Sequence, residues 1–451
     1  MAGFVHFRTA LLPGGWAENV RVEIADGRFG RIGQGVPAQP DDRCCKVALP
    51  GLPNLHSHAF QRGMAGLSER RGESADSFWT WREVMYRFLD RLGPDEVRAI
   101  AAMAYCEMLE TGFTRVGEFH YLHHDPAGTP YFGAGMAEAI AAAADETGIA
   151  LTLLPVFYAH SGFGGLDPTP GQRRFVNDLD GFARLREASG EAIAALPDAV
   201  LGLAPHSLRA VTPQELHALC ALAGDGPIHI HIAEQVAEVD ACLAWSGARP
   251  VRWLLDNAPV SPRWCLVHAT HVDAGEIAGM AVSGAVAGLC PITEANLGDG
   301  LFPAPEYCAA GGAWGVGSDS NVLIDAAEEL RWLEYGQRLG RRGRNMLARS
   351  PGASTGASLF SAALSSGGRA LGASSGIAEG LPADFITLDP AHPSLAGADA
   401  DGWLDGWIFA AGRGAIDEVW RHGRQMVAGG RHRDRSAIAA RYAECLHGLR
   451  S

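Results

Sequence analysis

Four stretches of this chain place side chains of metal-binding type at or just past the end of an apolar run. In NLHSHAFQRG the run ends on His56-Ser57-His58. Alternate residues of a strand face the same way, so both imidazoles can point at one ion. His231 and Glu234 fall in IHIHIAE, His268 in CLVHAT and Asp319 in GVGSDSN. With 17 histidines in the chain, an isolated His-x-His carries little weight. Four separate strand ends that each offer a metal-type ligand carry a great deal. Donors of this kind can hold a divalent ion that lowers the pKa of water from 15.7 toward about 7, which is hydrolytic chemistry.

Structural roles compete for each residue. Asp319 could be a helix N-cap, since Ser-Asp-Ser is a good capping sequence, and Glu234 could cap a helix or pair with an arginine. His229 points the same way as His231 but about 7 Å deeper along the strand, so it reads as a packed core histidine. His120, His123 and His124 read as loop residues, and the cysteines, including Cys290, as buried and inert.

Bringing these groups together requires a scaffold that presents many strand ends on one face. Short apolar runs alternate with amphipathic or Ala-rich stretches through the middle of the chain: 115–119, 151–157, 201–206, 228–234, 264–269, 286–291 and 314–319, with 47–58 as an eighth. Most lack polar alternation, as parallel strands buried on both faces do. PDEVRAIAAMAYCEMLETG and GMAEAIAAAADETG read as helices closed by glycine. Eight such units predict a (β/α)8 TIM-type barrel, with a doubly wound open sheet as the rival; in a barrel the active groups project from the C-terminal strand ends. Both chain ends read instead as short strands and turns, and neither alone can close a core. The expected organisation is therefore a small composite β domain, a sandwich built from residues 1–47 plus 372–451, and a barrel over 48–371.

Composition narrows the class further. The chain has 451 residues, 47% of them hydrophobic, and a formal net charge of −14. Of 37 basic residues only Lys46 is a lysine, and it lies in CCKVALP, so no P-loop exists and a Schiff-base lysine has a single candidate. The acidic balance argues against nucleic-acid or anionic-membrane partners. An odd nine cysteines without a Cys-x-x-Cys pair suggest a reducing, cytoplasmic setting. The first fifteen residues lack signal-peptide character, and the uncharged run Ile277 to Thr293 is too short for a membrane span.

The set HSH, then H-x-x-E, then His, then SD resembles the amidohydrolase superfamily over essentially the whole chain. In its deaminase branch, the resemblance implies one divalent metal ion, usually Zn2+, held by His56, His58, His231 and Asp319. It implies catalytic roles for Glu234, His268 and Asp319. Asp319 would take a proton from water, His268 would stabilise developing negative charge, and Glu234 would shuttle protons to a nitrogen leaving group. GLPADFITLD is similar to the family's usual return strand. Many relatives bridge two metals with a carboxylated lysine at the end of strand four. Here that strand ends in APHS and Lys46 precedes strand one, so a lysine-bridged centre is excluded.

Gln61, Arg82, Tyr121, His206 and Arg209 crowd the same predicted barrel mouth. Guanidinium forks match carboxylates, so two arginines near a metal imply a small acidic substrate. Within the superfamily NLHSHAFQRGMAG, GEFHYLHH, CPITEANLGDGLFP and GVGSDSN resemble the formimidoylglutamate deiminase family. That resemblance implies hydrolysis of N-formimino-L-glutamate to N-formyl-L-glutamate and ammonia in histidine degradation. These five residues would then hold the dicarboxylate, and the assembly would be a homodimer. A deaminase for guanine or S-adenosylhomocysteine is the alternative, and would favour aromatic stacking over paired arginines. A non-catalytic homologue, which would usually have lost ligands, is remote.

Overall fold

The computed structural model describes residues 3–69, 71 and 78–450. From the N-terminal end come β1 (Gly3–Leu12), β2 (Gly15–Ala25), β3 (Arg28–Gly33) and β4 (Arg43–Pro50). The middle contributes β5 (Leu52–Ser57), β6 (Phe113–His120), β7 (Ala150–Phe157), β8 (Val200–Leu201), β9 (Ala204–Pro205), β10 (Ile228–Ile232), β11 (Trp264–His268), β12 (Val286–Leu289) and β13 (Ala313–Val316). The C-terminal end adds β14 (Phe385–Leu388), β15 (Ile416–Arg421), β16 (Arg424–Ala428) and β17 (Arg431–His432).

The middle strands close a parallel barrel. β5 to β8 pair in order, β9 continues the fourth barrel strand against β7, and β10 to β13 pair in order. Bridges Leu203↔Ile228 and Ser57↔Asp319 join the two arcs, so the ring closes at the residues singled out for chemistry. β5, β6, β7, β10, β11 and β12 are buried at every position, which is why their sequences show no polar alternation. The helix Pro94–Glu110 starts on proline, with Glu96 bonded back to the Gly93 N–H. The helix Met136–Thr147 ends at left-handed Gly148.

The chain ends meet in one eight-stranded sheet of order β17-β16-β15-β14-β4-β1-β2-β3. β4 pairs parallel with β1 and antiparallel with β14. This unit has its own core, where Phe385 contacts Phe7 and stacks on Trp420. The 47–58 run is therefore two strands belonging to two sheets. Gly51 separates them, and a Cβ there would lie 2.1 Å from the Thr114 side chain. Lys46 pairs with Asp389 in the end sheet, away from the barrel mouth. Among the described residues no helix is long and apolar enough to cross a membrane.

A buried ion network fastens the sheet beneath the barrel. Arg421, 3% exposed, reaches Asp198 at 2.6 Å and Asp384 at 2.6 Å, while Arg115 of β6 also holds Asp198 at 2.5 Å. In Arg421→Met, Asp198 keeps Arg115, whereas Asp384 loses its guanidinium partner and keeps the His422 N–H. The expected cost is about 3 kcal/mol, the low end for a broken buried pair, read as a lowered urea midpoint. An unchanged midpoint would show that the network adds nothing to stability.

Candidate metal centre and active site

His56 lies near the end of β5 and His58 directly follows it, His231 is on β10, and Asp319 follows β13. His56 Nε2 lies 3.2 Å from His58 Nε2 and 3.0 Å from His231 Nε2. Asp319 Oδ1 lies 3.4 Å from His56 Nε2 and 3.3 Å from His58 Nε2. Four buried donors thus converge within 4.8 Å of one another. On His58 and His231 the other nitrogen is spent: His58 Nδ1–H donates to Phe119 O at 2.9 Å, and His231 Nδ1–H to His206 O at 3.1 Å. That leaves both Nε2 lone pairs facing inward, the tautomer a metal ligand requires. Two inward-facing nitrogen lone pairs, a third imidazole between them and a carboxylate oxygen fit a divalent cation.

The backbone is built to hold this geometry. Asp319 N–H donates to His56 O and His58 N–H to Asp319 O, both at 2.9 Å. Gly317 passes so near that a Cβ would sit 2.7 Å from His56 N. Asn321 Nδ2 donates to Ser57 Oγ, His58 O and Asp319 O, each at 3.1 Å, clasping first and last barrel strands together. Behind the first motif, Glu118 Oε1 accepts the Ala59 N–H at 2.7 Å. Ala233, His268, Ala269, Asp319 and Asn321 all have positive φ, between 44° and 67°. Left-handed non-glycine residues persist only where surroundings fix them, and these five cluster at barrel strand ends. Asp319 is not a helix cap; the helix Ala326–Arg341 is capped by Asp325. Glu234 precedes the helix Val236–Ser246, whose N-cap is Gln235.

Burial sets the protonation of the three histidines. It lowers His56 to about 3, against the opposing pull of Asp319, and it lowers His58 and His231 as well. All three stay neutral, as ligation needs. His268 goes the other way: burial opposes its charge, but Glu234, Glu294 and Asp319 together hold it up to about 10. Its Nε2 lies 3.9 Å from Glu234 Oε1 and 3.8 Å from Asp319 Oδ2. Glu234 is raised to about 7, by burial first, with His268 opposing. Burial also works against the Asp319 carboxylate, but the hydrogen bond to His56 and the surrounding imidazoles outweigh it and keep Asp319 ionised.

One cavity opens onto these groups. His58, His231, Glu234, His268 and Asp319 line it, as do Gln61, Arg82, Tyr121, His206 and Arg209, while His56 lies behind the wall. Gln61 Nε2 donates to Tyr121 Oη at 2.9 Å, so these two side chains are preset relative to each other. Arg209 is held beside Tyr158, and among the described residues its buried Nε has no hydrogen-bond partner.

Tyr158, Thr293 and Ser320 also line the cavity and were missed from sequence. Tyr158 directly follows β7 as Tyr121 follows β6, so its place at a strand end was the available signal. His229 is a core histidine, its Nε2–H donating to Ala370 O at 2.7 Å. His123 and His124 bond to the carbonyls of Val156 and Val176, but His120 is the last residue of β6 rather than part of a loop. Six cysteines including Cys290 are buried, whereas Cys44 and Cys308 are exposed and Cys445 half-buried, contrary to expectation. Their short sequence context gave no measure of depth.

A closed parallel barrel with HSH, H-x-x-E, His and Asp at its C-terminal mouth defines a metal-dependent hydrolase of amidohydrolase type. The amidohydrolase family model matches residues 47–426, and the chain belongs to that family. Residues 2–45 match the model described as formimidoylglutamate deiminase HutF, N-terminal domain. The chain is 51% identical over 441 residues to the formimidoylglutamate deiminase of Pseudomonas aeruginosa, covering 97% of each. It is 30% identical over 339 residues to the 8-oxoguanine deaminase of the same organism, covering 70% of this chain and 71% of that one. A crystal structure of an amidohydrolase from Brucella melitensis superposes over 100% of both chains with TM-score 0.97 and 56% identity.

Proposed function

We propose that this protein is a formimidoylglutamate deiminase, hydrolysing N-formimino-L-glutamate to N-formyl-L-glutamate and ammonia. The observation that carries this reading is the pair Arg82 and Arg209 on the cavity that also exposes the His/Asp cluster. Extensive identity to the Pseudomonas deiminase supports it. The cavity also offers aromatic faces, Tyr121, Tyr158 and Phe175 among them, so it is the paired guanidinium groups that favour a dicarboxylate over a planar purine.

His56, His58, His231 and Asp319 would hold the ion, and zinc suits three imidazoles and a carboxylate. Such an ion acidifies water enough to supply a nucleophile near neutral pH. The chain's own groups do the rest. Arg82 and Arg209, with Gln61, Tyr121 and His206, fix the two carboxylates and so aim the formimino carbon at the ligand cluster. Asp319 Oδ2 accepts the proton that water gives up as the C–O bond forms. His268, held as a cation, faces the negative charge that develops during attack. Glu234, poised near neutrality, gives its proton to the imino nitrogen during attack. That nitrogen takes the second from Asp319 and leaves as ammonia when the C–N bond breaks, while the new hydroxyl returns a proton to Glu234 and becomes the carbonyl. A homodimer and a cytoplasmic setting belong to the same reading, and nine free cysteines support the latter.

The test is ammonia release from N-formimino-L-glutamate, N-formimino-L-aspartate, guanine and S-adenosylhomocysteine. The first is expected to be turned over with the highest kcat/KM. Preferred turnover of guanine would overturn the substrate while leaving the metal site intact.

A further inference from the structure

Glu294 has no part in the steps above, yet it reaches the reacting centre through His268. We propose that Glu294 is a positioning residue for His268, fixing which ring nitrogen faces the substrate; this rests on the deiminase reading of the site. His268 ends β11, and rotating its ring about χ2 would exchange nitrogen for carbon at every edge. One contact decides the orientation: His268 Nδ1 lies 3.2 Å from Glu294 Oε1. A carboxylate oxygen only accepts, so Nδ1 carries a proton and Nε2 is turned toward Glu234 and Asp319. Glu234 Oε1 and Asp319 Oδ2 lie 3.9 and 3.8 Å from Nε2, beyond hydrogen-bond reach, so the Glu294 contact is the one that sets the ring.

Glu294 is itself anchored. The helix Pro291–Leu297 begins where β12 ends, and the same Oε1 accepts the Cys290 N–H at 2.9 Å. Glu294 N–H donates to Cys290 O at 2.8 Å, and Asp299 N–H to Glu294 O at 2.9 Å. The His268 ring is stacked on His231, the planes 13° apart, which limits tilting but does not choose between ring faces. Capping the helix would need only the Cys290 contact. The bond to Nδ1 is the additional feature, and its place is that of a carboxylate that orients a catalytic imidazole.

The experiment compares Glu294→Ala and Glu294→Gln with the wild type as full-length, metal-loaded enzyme. Histidine-15N spectra of the metal-free proteins are recorded in parallel, with the ring signal assigned by His268→Asn. Glu294→Ala is expected to lower kcat by about 10- to 100-fold, to leave KM within about threefold and metal stoichiometry unchanged, and to shift the His268 Nδ1 signal. Glu294→Gln retains an oxygen acceptor, so it should recover part of kcat and give an intermediate signal. The proposal is overturned by Glu294→Ala with kcat within about twofold of wild type and an unmoved ring signal. It is also overturned if kcat and metal content fall together, since that is the result of a cap alone. Should the alanine variant fail to fold, wild-type kcat and spectrum in Glu294→Gln overturn it equally. The ring spectrum does not depend on the substrate, so it stands even if formimino-glutamate proves to be the wrong one.

Discussion

Asp319→Asn is expected to lower kcat for ammonia release by at least about 10³-fold while the protein still folds and still binds metal weakly. Asparagine preserves the shape, so the backbone bonds joining Asp319 to His56 and His58 should survive. Two functions go at once. Oδ1, 3.3–3.4 Å from the His56 and His58 nitrogens, loses its charge as a donor to the ion. Oδ2, facing His268 at 3.8 Å, can no longer accept a proton. General-base removal alone accounts for about 10² to 10⁴, and weaker metal binding adds to it. Steady-state kinetics at saturating zinc, with metal analysis of the same sample, separate the two contributions. Activity within threefold of wild type would remove Asp319 from both roles.

His56, His58, His231, His268 and Asp319 were legible because β-strand ends carry their own signal: an apolar run, then a polar ligand. The eight-unit count was legible because strands buried on both faces have no alternation to hide them. Even so, the fourth barrel strand is broken into β8 and β9 around Gly202 and Leu203, and the 47–58 run serves two sheets. A continuous hydrophobic stretch does not record which sheet it joins; the close approach of Thr114 at Gly51 does. Asn321 was invisible for a related reason. Its clasp depends on a left-handed backbone at φ 55° and on Ser57 and His58, which are more than 260 residues away. Glu294 and Glu118 were hidden likewise, each an ordinary carboxylate until the barrel closes and buries it beside the site.

Arg209→Met should raise KM for N-formimino-L-glutamate by about 10²-fold with metal content unchanged, and the double variant with Arg82→Met tells what each guanidinium does. In a chain of net charge −14, global steering repels an anion, so its capture depends on charge placed locally. Arg209 supplies it from a half-buried position, with its buried Nε unspent and Tyr158 beside it. Deleting one member of a desolvated charge pair costs about 2–5 kcal/mol, and methionine keeps most of the side-chain volume. A contact made equally in ground and transition states shows in KM; one that also aims the formimino carbon shows in kcat as well. If Arg82 and Arg209 hold different carboxylates, their losses in kcat/KM should add to within about 0.5 kcal/mol. Strong non-additivity would place both on one carboxylate and hand the other to Gln61, Tyr121 and His206. An unchanged KM in Arg209→Met would mean that the cavity does not recognise a dicarboxylate through this residue, and the case for formimino-glutamate over a neutral amidine would lose its main support.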